Sequence, residues 1–487
     1  MGRGVPALSF FNGRGPIDAL RADPTVRAVY DAAVKAGVTV YIVGGALRNL
    51  ALCAAPAPDY DFIVQGDAAA FSEAAAKALR GAWFLLDKET ASCRVAVKSA
   101  AGAYTADFSP VKEEGVVYDL GARDFTVNAL AIGLSDLFGN EDPIIIDPCN
   151  GLGDATERLL RMTSRGVFDD DPLRCLRAVR LALQYGLEIE GETLALIKLK
   201  AGLIRNVSIE RVRDELVAIF SSDGTPLALR ALMDTGIMGV ILPEAARWGD
   251  VEGYDLLGHS IKVVEECEDI ISSDPERLFP GYSSGIRAHL GGALGPVKRT
   301  AFLKMAAFFH DAGKPACITS EGGRPRFIGH DSEGGRIVKG LFTSLKFSRA
   351  LATRASKAVK DHHRAFMLAS LKERTARAKA HFFRATGDDA GIDLLLLALA
   401  DARATSGGED EALLRTAREM VAFYYDVYTK KRPGTLFTGR EVMKAFGVSE
   451  GRIVGEILKK IAEGVEDGGI RNRKDAVIRI KKWLGGG

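Results

Sequence analysis

Between residues 38 and 153 the pattern of apolar and polar positions changes period several times. VTVYIVGG and DYDFIV are short β-branched and aromatic runs, CRVAVKS and AYTADFS read as further strands, and DAAAFSEAAAKALR spaces its apolar residues as a helix does. This segment is predicted to be mixed α/β. After about Asp154 strand signals nearly vanish, and RCLRAVRLALQYGL, TLALIKLKAGLI and IERVRDELVAIF repeat apolar residues at helical spacing. From Gly253 a second helical region holds six of the seven histidines up to His363, and SSDPERLFPGYSSGIRAHLGGALG inside it reads as a loop-rich insert. From about Gly408 the chain stays helical and turns basic. Four parts are expected: residues 1–153, 154–250, 251–407 and 408–487.

Composition narrows the class. A chain of 487 residues needs several cores, and 47% hydrophobic with 26% charged residues is ordinary for a soluble globular protein. The net charge of +2 hides an asymmetry, because from Lys430 onward fourteen Lys and Arg face seven Asp and Glu, which suits a polyanionic partner. The six cysteines show no CxxC spacing, so neither a zinc site nor a disulfide framework is expected, and a reducing cytoplasm fits. No apolar run is long enough to cross a bilayer, and the first thirty residues lack a signal-peptide core, so the protein is expected to be cytoplasmic and away from membranes.

The chemistry begins at APDYDFIV. On a strand Asp59 and Asp61 point to one face, about 7 Å apart along the chain. Either a cation sits between them or they are two solvated acids beside a turn. Upstream, YIVGGALRNL runs from a strand through Gly44 and Gly45 into a helix bearing Arg48, a turn at which backbone N–H groups approach an anion such as a triphosphate. A hairpin-like return would bring that turn to the acids. Asp107, in AYTADFSP, offers a third carboxylate, and three such hard ligands suit Mg²⁺.

Six segments then occur in order over residues 38 to 220: GG-x-x-R, D-x-D, RDFT-x-NA, DP-x-x-G-x-x-D, DDPLR-x-x-RA-x-R and SIERVRDEL. In them the chain resembles the class II tRNA nucleotidyltransferase and bacterial poly(A) polymerase family of the polymerase β-like superfamily. The resemblance implies an α/β nucleotidyltransferase head, then a mainly α-helical neck. It makes Asp59 and Asp61 the metal-binding carboxylates, with Asp107 at the third position, and puts Arg123, Asp124 and Asn128 at the ribose and phosphates. It also implies CTP, ATP and tRNA as partners. Two positions depart from the usual pattern: Asn49 stands where the family has an aspartate and Ala122 where it has an arginine.

Asp171 and Arg174 lie three apart, on one face of a helix that Pro172 would start. A carboxylate accepts and a guanidinium only donates, so the pair mimics a complementary base edge, or else Asp171 caps the helix and Arg174 makes a solvent-facing pair. The family resemblance implies the first role, selection of CTP and ATP. Arg177 and Arg180 follow at spacings of three, to line the triphosphate or RNA or to make buried salt bridges. SIERVRDEL reads as an ordinary capped helix with a structural role.

His259, His310, Asp311, His330, His362, His363 and Asp401 offer mixed N/O ligands for Mn, Fe, Co or Ni. Their order, H, HD, H, H, D, resembles the HD phosphohydrolase family, which implies hydrolysis of phosphate esters or an HD fold retained as an RNA-binding or dimerising scaffold. The last part, with TGRE and EG-x-x-VGEILKKI, resembles the tail of HD-containing tRNA nucleotidyltransferases and implies a surface for the tRNA body. The expected activity is CMP and AMP addition at the tRNA 3′ end. The alternatives are poly(A) synthesis, addition of CC or A alone, or an HD phosphohydrolase with an RNA-binding head.

Overall fold

The computed structural model describes residues 4–7, 10, 15–55, 59–99, 102–245, 248, 249, 251, 254–321, 324–430, 436–466, 469, 470 and 472–485. Two compact units emerge, Met1–Glu215 with Arg230–Ile241 and Leu216–Leu229 with Leu242–Gly487. The expected boundary at 153/154 falls inside the first unit, and the expected part 154–250 is shared between the two units.

In the first unit strands β1 (Gly4–Pro6), β2 (Thr39–Val43), β3 (Asp59–Gln65), β4 (Ala82–Asp87), β5 (Ser92–Ser99), β6 (Gly102–Pro110), β7 (Ala131–Gly133) and β8 (Ile144–Ile146) form one sheet. Their order is β1-β8-β7-β2-β3-β6-β5-β4, and every neighbouring pair is antiparallel except β3 with β6. Helices α1 (Pro24–Ala36), α2 (Gly45–Ala51) and α3 (Ala68–Leu79) belong to the same unit. Asp23 caps α1 by accepting from the backbone of Thr25 and Val26, and Gly37 ends it with φ of 65°.

The two-residue period of the strands sorts the chemistry. Phe62 and Val64 of β3, Ala106 and Phe108 of β6, and Val95 and Val97 of β5 share a core with Val26 and Val29 of α1 and Phe71 and Ala75 of α3. Phe62 stacks on Phe108 with ring centroids 5.2 Å apart. The intervening residues, Asp59, Asp61 and Asp107, therefore face the other side, where Val43, Ile63, Leu120, Ala129 and Ala131 form a smaller cluster. Helices cover the apolar face and leave the acidic face to the site.

All four predicted strands are present. The sheet also contains β4, which the pattern did not announce because it is an edge strand whose Phe84, Leu85 and Leu86 are largely exposed. Helices α4 (Leu173–Tyr185) and α5 (Ile209–Ser221) match the periodicity. One expectation fails here: Asp171 is not on the face of α4. Pro172 holds the residue before it out of the helical region, so Asp171 is extended at φ −148°, ψ 98° and the helix starts beyond it.

The second unit is helical, with α6 (Leu256–Ser272), α7 (Arg299–Phe309), α8 (His330–Ser344), α9 (Arg349–Asp361) and α10 (Ala390–Ser406) packed on one another. Helices α7 and α10 are apolar nearly all round and run through its centre. The stretch read as a loop-rich insert instead contains helices Pro275–Leu278 and Ser283–Leu290. Asp274 caps the first, with Pro275 at its first position, and Ile286 and Leu290 bury one face of the second. Helices α11 (Gly439–Phe446), α12 (Arg452–Glu466) and α13 (Arg473–Leu484) close a small core of Phe437, Val442, Ile457, Ile461 and Ile480. Of the basic tail, Lys431, Arg432 and Arg471 lie outside the described residues. Among the described residues no helix is long and apolar enough to cross a membrane.

Candidate functional site

The return of the chain from α2 into β3 brings glycines and acids together. β2 and β3 pair so that Val43 faces Asp61, and β3 and β6 pair so that Asp61 faces Asp107 and Asp59 faces Thr105. Gly44 has φ of 69°, and a Cβ there would stand 2.7 Å from Arg123 Nη1 and 3.0 Å from Asp61 Oδ2. Glycine is what lets this guanidinium and this carboxylate converge. Burial pushes the Asp61 carboxyl up, and Asp107 adds to that while Arg123 opposes it. Asp59 Oδ1 accepts from the Thr105 backbone at 3.1 Å and from its hydroxyl at 2.7 Å. Both Asp107 oxygens are held by Arg94, at 2.7 Å each.

Behind the acids a polar chain fixes the RDFT segment. Asp124 Oδ1 accepts from the Phe125 N–H at 2.9 Å and from Asn128 Nδ2 at 2.8 Å, and Asn128 Oδ1 accepts from Arg48 Nη1 at 2.8 Å. Arg177 Nε lies 2.8 Å from Asp124 Oδ2, an ion contact without hydrogen-bond alignment. Burial opposes the charge of Asp124, yet Arg177 and these donors hold its carboxyl below the usual range. Buried Arg48 also donates to Tyr185 Oη at 2.5 Å, and its guanidinium lies over the Tyr185 ring. Asn49 accepts from Arg48 Nη2 at 3.0 Å and donates to the Ala55 carbonyl at 2.7 Å, so the first departure from the family pattern orients Arg48 without adding a charge. The DP-x-x-G-x-x-D segment supports this loop from below: Asp147 accepts from the Gly151 and Leu152 N–H groups, and Asp154 from the Thr126 hydroxyl at 2.6 Å.

Asp171 and Arg174 do not pair with each other. Asp171 Oδ2 accepts from Arg211 Nη2 at 2.7 Å and Oδ1 from the Leu173 N–H at 3.3 Å. Arg174 donates to the Val167 carbonyl at 3.3 Å and, at the second departure, to the Ala122 carbonyl at 3.2 Å. Arg180 makes an ion pair with Glu215 at 2.5 Å, the salt-bridge alternative of its two readings. Arg211 and Glu215 both stand on α5, a helix that looked merely structural.

In the second unit all seven expected histidines and acids converge. His310 and Asp311 follow directly on α7, His259 stands on α6, His330 opens α8, His362 and His363 follow α9, and Asp401 stands on α10. Two ligand groups result, His259 with His310 and Asp401, and His330 with His362 and His363. Asp311 lies toward both, its Oδ2 3.1 Å from His310 Nε2 and its Oδ1 3.2 Å from His330 Nε2. The Nδ1–H groups of His310, His330 and His362 donate to the Ala307, Phe327 and Val359 carbonyls, which turns each Nε2 toward Asp311.

The charges are shared unevenly. Burial opposes protonation of His310, but Asp311 and Asp401 raise it to about 9. Burial, with His310 and His363 nearby, pushes His362 down to about 3. Buried His362 Nε2 has no hydrogen-bond partner, and a divalent cation suits such an atom and this donor set. Lys314 Nζ lies 2.5 Å from Asp311 Oδ2. The cavity here measures about 740 Å³ and is also lined by Tyr254, Phe327 and Phe366.

Residue reasoning missed Arg94, Tyr185, Arg211, Lys314 and Tyr254. Arg94 was within reach, as the charged residue that alternates with Cys93 and Val95 in a predicted strand, and so was Lys314, one helical turn beyond Asp311. Arg211 meets Asp171 across forty residues of chain, and no local pattern marks such a contact.

A sheet that gathers carboxylates against a glycine turn, followed by a helix that bears Arg174 just beyond Asp171, defines a polymerase β-like nucleotidyltransferase. Residues 40–161 match the poly A polymerase head domain, 186–248 the probable RNA and SrmB-binding site of polymerase A, and 284–406 the HD domain. The chain is 30% identical over 448 residues to the CC-adding tRNA nucleotidyltransferase of Geobacter sulfurreducens, covering 92% of each protein. It is 30% identical over 457 residues to the A-adding tRNA nucleotidyltransferase of Deinococcus radiodurans, covering 91% of this chain and 95% of that one. The solved complex of a CCA-adding enzyme with CTP shares the fold, with a TM-score of 0.64 at 21% identity over 99% of this chain and 100% of the other. The protein belongs to the tRNA nucleotidyltransferase family.

Proposed function

We propose that this enzyme transfers CMP and AMP from CTP and ATP to the 3′ end of tRNA in the cytoplasm, without a nucleic-acid template. The observation that carries the reading is the register of β3 with β6, which sets Asp61 opposite Asp107 on the face that also bears Asp59. Asp59 and Asp61, with Asp107 steadied by Arg94, would hold Mg²⁺, and the burial that raises the Asp61 carboxyl is relieved by a cation. When bound, Mg²⁺ would supply Lewis-acid activation of the tRNA 3′-hydroxyl and charge neutralisation on the leaving pyrophosphate.

The chain's own groups do the rest. Arg123, brought beside Asp61 at Gly44, faces the phosphates, and the Arg48–Asn128–Asp124–Arg177 chain fixes the surface under the ribose. Asp171 accepts from the exocyclic amino group of cytosine or adenine. Arg174 has five N–H groups, two of them held by main-chain carbonyls, so it keeps donors for the ring acceptors while its plane stays fixed.

Purified protein with Mg²⁺ and tRNA transcripts ending before CCA, after C and after CC should extend each to CCA when CTP and ATP are supplied, and Asp61→Ala should abolish extension. Long A tails on an unrelated RNA as well would refute this reading. A second reading is a divided pathway in which this enzyme adds only CC or only A; it is favoured by the names of the two relatives aligned over nine-tenths of both chains. The same transcripts separate the two. The HD cluster would hold a transition metal and serve hydrolysis of phosphate esters, with Lys314 placed to meet a phosphate.

A further inference from the structure

A second large cleft lies in the helical unit away from the histidine cluster. It measures about 800 Å³ and is shared by the helix Ala376–Thr386 and tail helices α12 and α13. Arg377, His381 and Arg384 stand at i, i+4 and i+7, on one face of the first helix, and all three line the cleft. Across from them Lys460 and Arg479 line it too, and Lys460 Nζ lies 4.6 Å from the centroid of the Trp483 ring. Among the described residues Glu463 is the one acid in the lining. Trp483 keeps 36% of its surface exposed.

Cations on two walls beside an accessible indole suit a ligand that carries both a phosphate and a flat ring, because the ring stacks on Trp483 while the guanidinium groups bind phosphate oxygens. The volume falls in the range of small-ligand pockets. We infer that this cleft binds a nucleoside phosphate, its base against Trp483 and its phosphate between Arg377 and Arg479. The nucleotide comes either free from solution or as an unstacked unit of the tRNA body, and only the second source rests on the function proposed above.

The test uses the full chain and the fluorescence of Trp483, taken as the difference between the wild type and Trp483→Phe, in which Trp83 and Trp248 remain. The probes are AMP, inorganic phosphate, a whole tRNA transcript and a minihelix of its acceptor end. Saturable quenching by AMP, weakened about tenfold in Arg377→Glu or Lys460→Glu, establishes the free nucleotide as the source. Quenching by whole tRNA but not by AMP or the minihelix, with a KM for tRNA raised about tenfold in these variants and a minihelix KM unchanged, establishes the RNA unit instead. If neither AMP nor tRNA alters the Trp483 signal, or if inorganic phosphate does so as well as AMP, the inference is overturned. A thermal melt of Arg377→Glu, expected to match the wild type because Arg377 is exposed, separates lost binding from lost folding.

Discussion

Under the proposed function, replacing Arg211 with alanine should separate selection of the nucleotide from stability of the fold. The Arg211–Asp171 pair is 2.7 Å long with side chains 52% and 27% exposed. A pair so open to water contributes ~0.2–1 kcal/mol to folding, so the melting temperature should fall by less than about 4 °C. Its effect on Asp171 is larger. Without Arg211 the carboxylate keeps a single anchor, the Leu173 N–H at 3.3 Å, on an extended backbone that permits all three staggered side-chain positions. Spreading over three wells costs about RT ln 3, or ~0.65 kcal/mol, a threefold loss of the orientation that meets a base amino group. A lengthened hydrogen bond brings the total to about tenfold. Uracil offers a carbonyl where cytosine offers the amino group, so a fixed carboxylate excludes it and a loose one excludes it less. Steady-state incorporation of CTP and UTP on a tRNA lacking CCA should show kcat/KM for CTP down about three- to tenfold and CTP-over-UTP preference reduced by a similar factor. Arg211→Lys should recover part of it. An unchanged CTP:UTP ratio in Arg211→Ala would refute the reasoning, since a purely structural α5 would lower both nucleotides together.

If the HD cluster holds metal as proposed, Asp311→Asn should at least halve the metal retained by the purified protein, measured by elemental analysis, because Asp311 faces both ligand groups, while nucleotide transfer stays within about twofold of wild type. Phe62→Ala removes a ring that is 1% exposed and stacked on Phe108, and should cost about 3–5 kcal/mol in denaturant unfolding of the head. Glu441 closes a capping box with Thr438 and binds Arg473, contacts that bring its carboxyl down to about 2. A depressed carboxyl stabilises above its ordinary value near 4.3, so the start of α11 should loosen as pH falls from there toward about 2. Amide shifts of Thr438 and Glu441 followed through that window should show it, and Glu441→Gln should lose the transition.

How much of this was legible in the sequence depends on the range of the contact. Strands β2, β3, β5 and β6 follow from two-residue alternation, and that alternation also fixes which face bears Asp59, Asp61 and Asp107. The convergence of the histidines and acids of the HD unit was legible because each member sits beside a helix end or on a helix with clear periodicity. Asp171 was misplaced by one rule overriding another, since three-residue spacing suggests a shared helix face and Pro172 forbids it. The partners of Asp107 and Asp171 were hidden for different reasons: Arg94 waits on the pairing of β5 with β6, and Arg211 on the packing of α5 beside α4. Helices Gly15–Ala22 and α1 went unremarked, although α1 supplies Val26 and Val29 to the core of the head.

The lone parallel pairing in the sheet bears on how the head tolerates engineering. Chain leaving β3 must travel through α3, β4 and β5 before β6 returns alongside, so the Asp61–Asp107 register is closed by a long excursion rather than by a turn. The far end of that excursion is the β4–β5 turn at residues 88–91, on the outer edge of the sheet and two strands away from β3. A reporter peptide or affinity handle spliced there would extend the loop without shifting the carboxylates, whereas a residue added between β3 and α3 would pull on the strand that carries two of them.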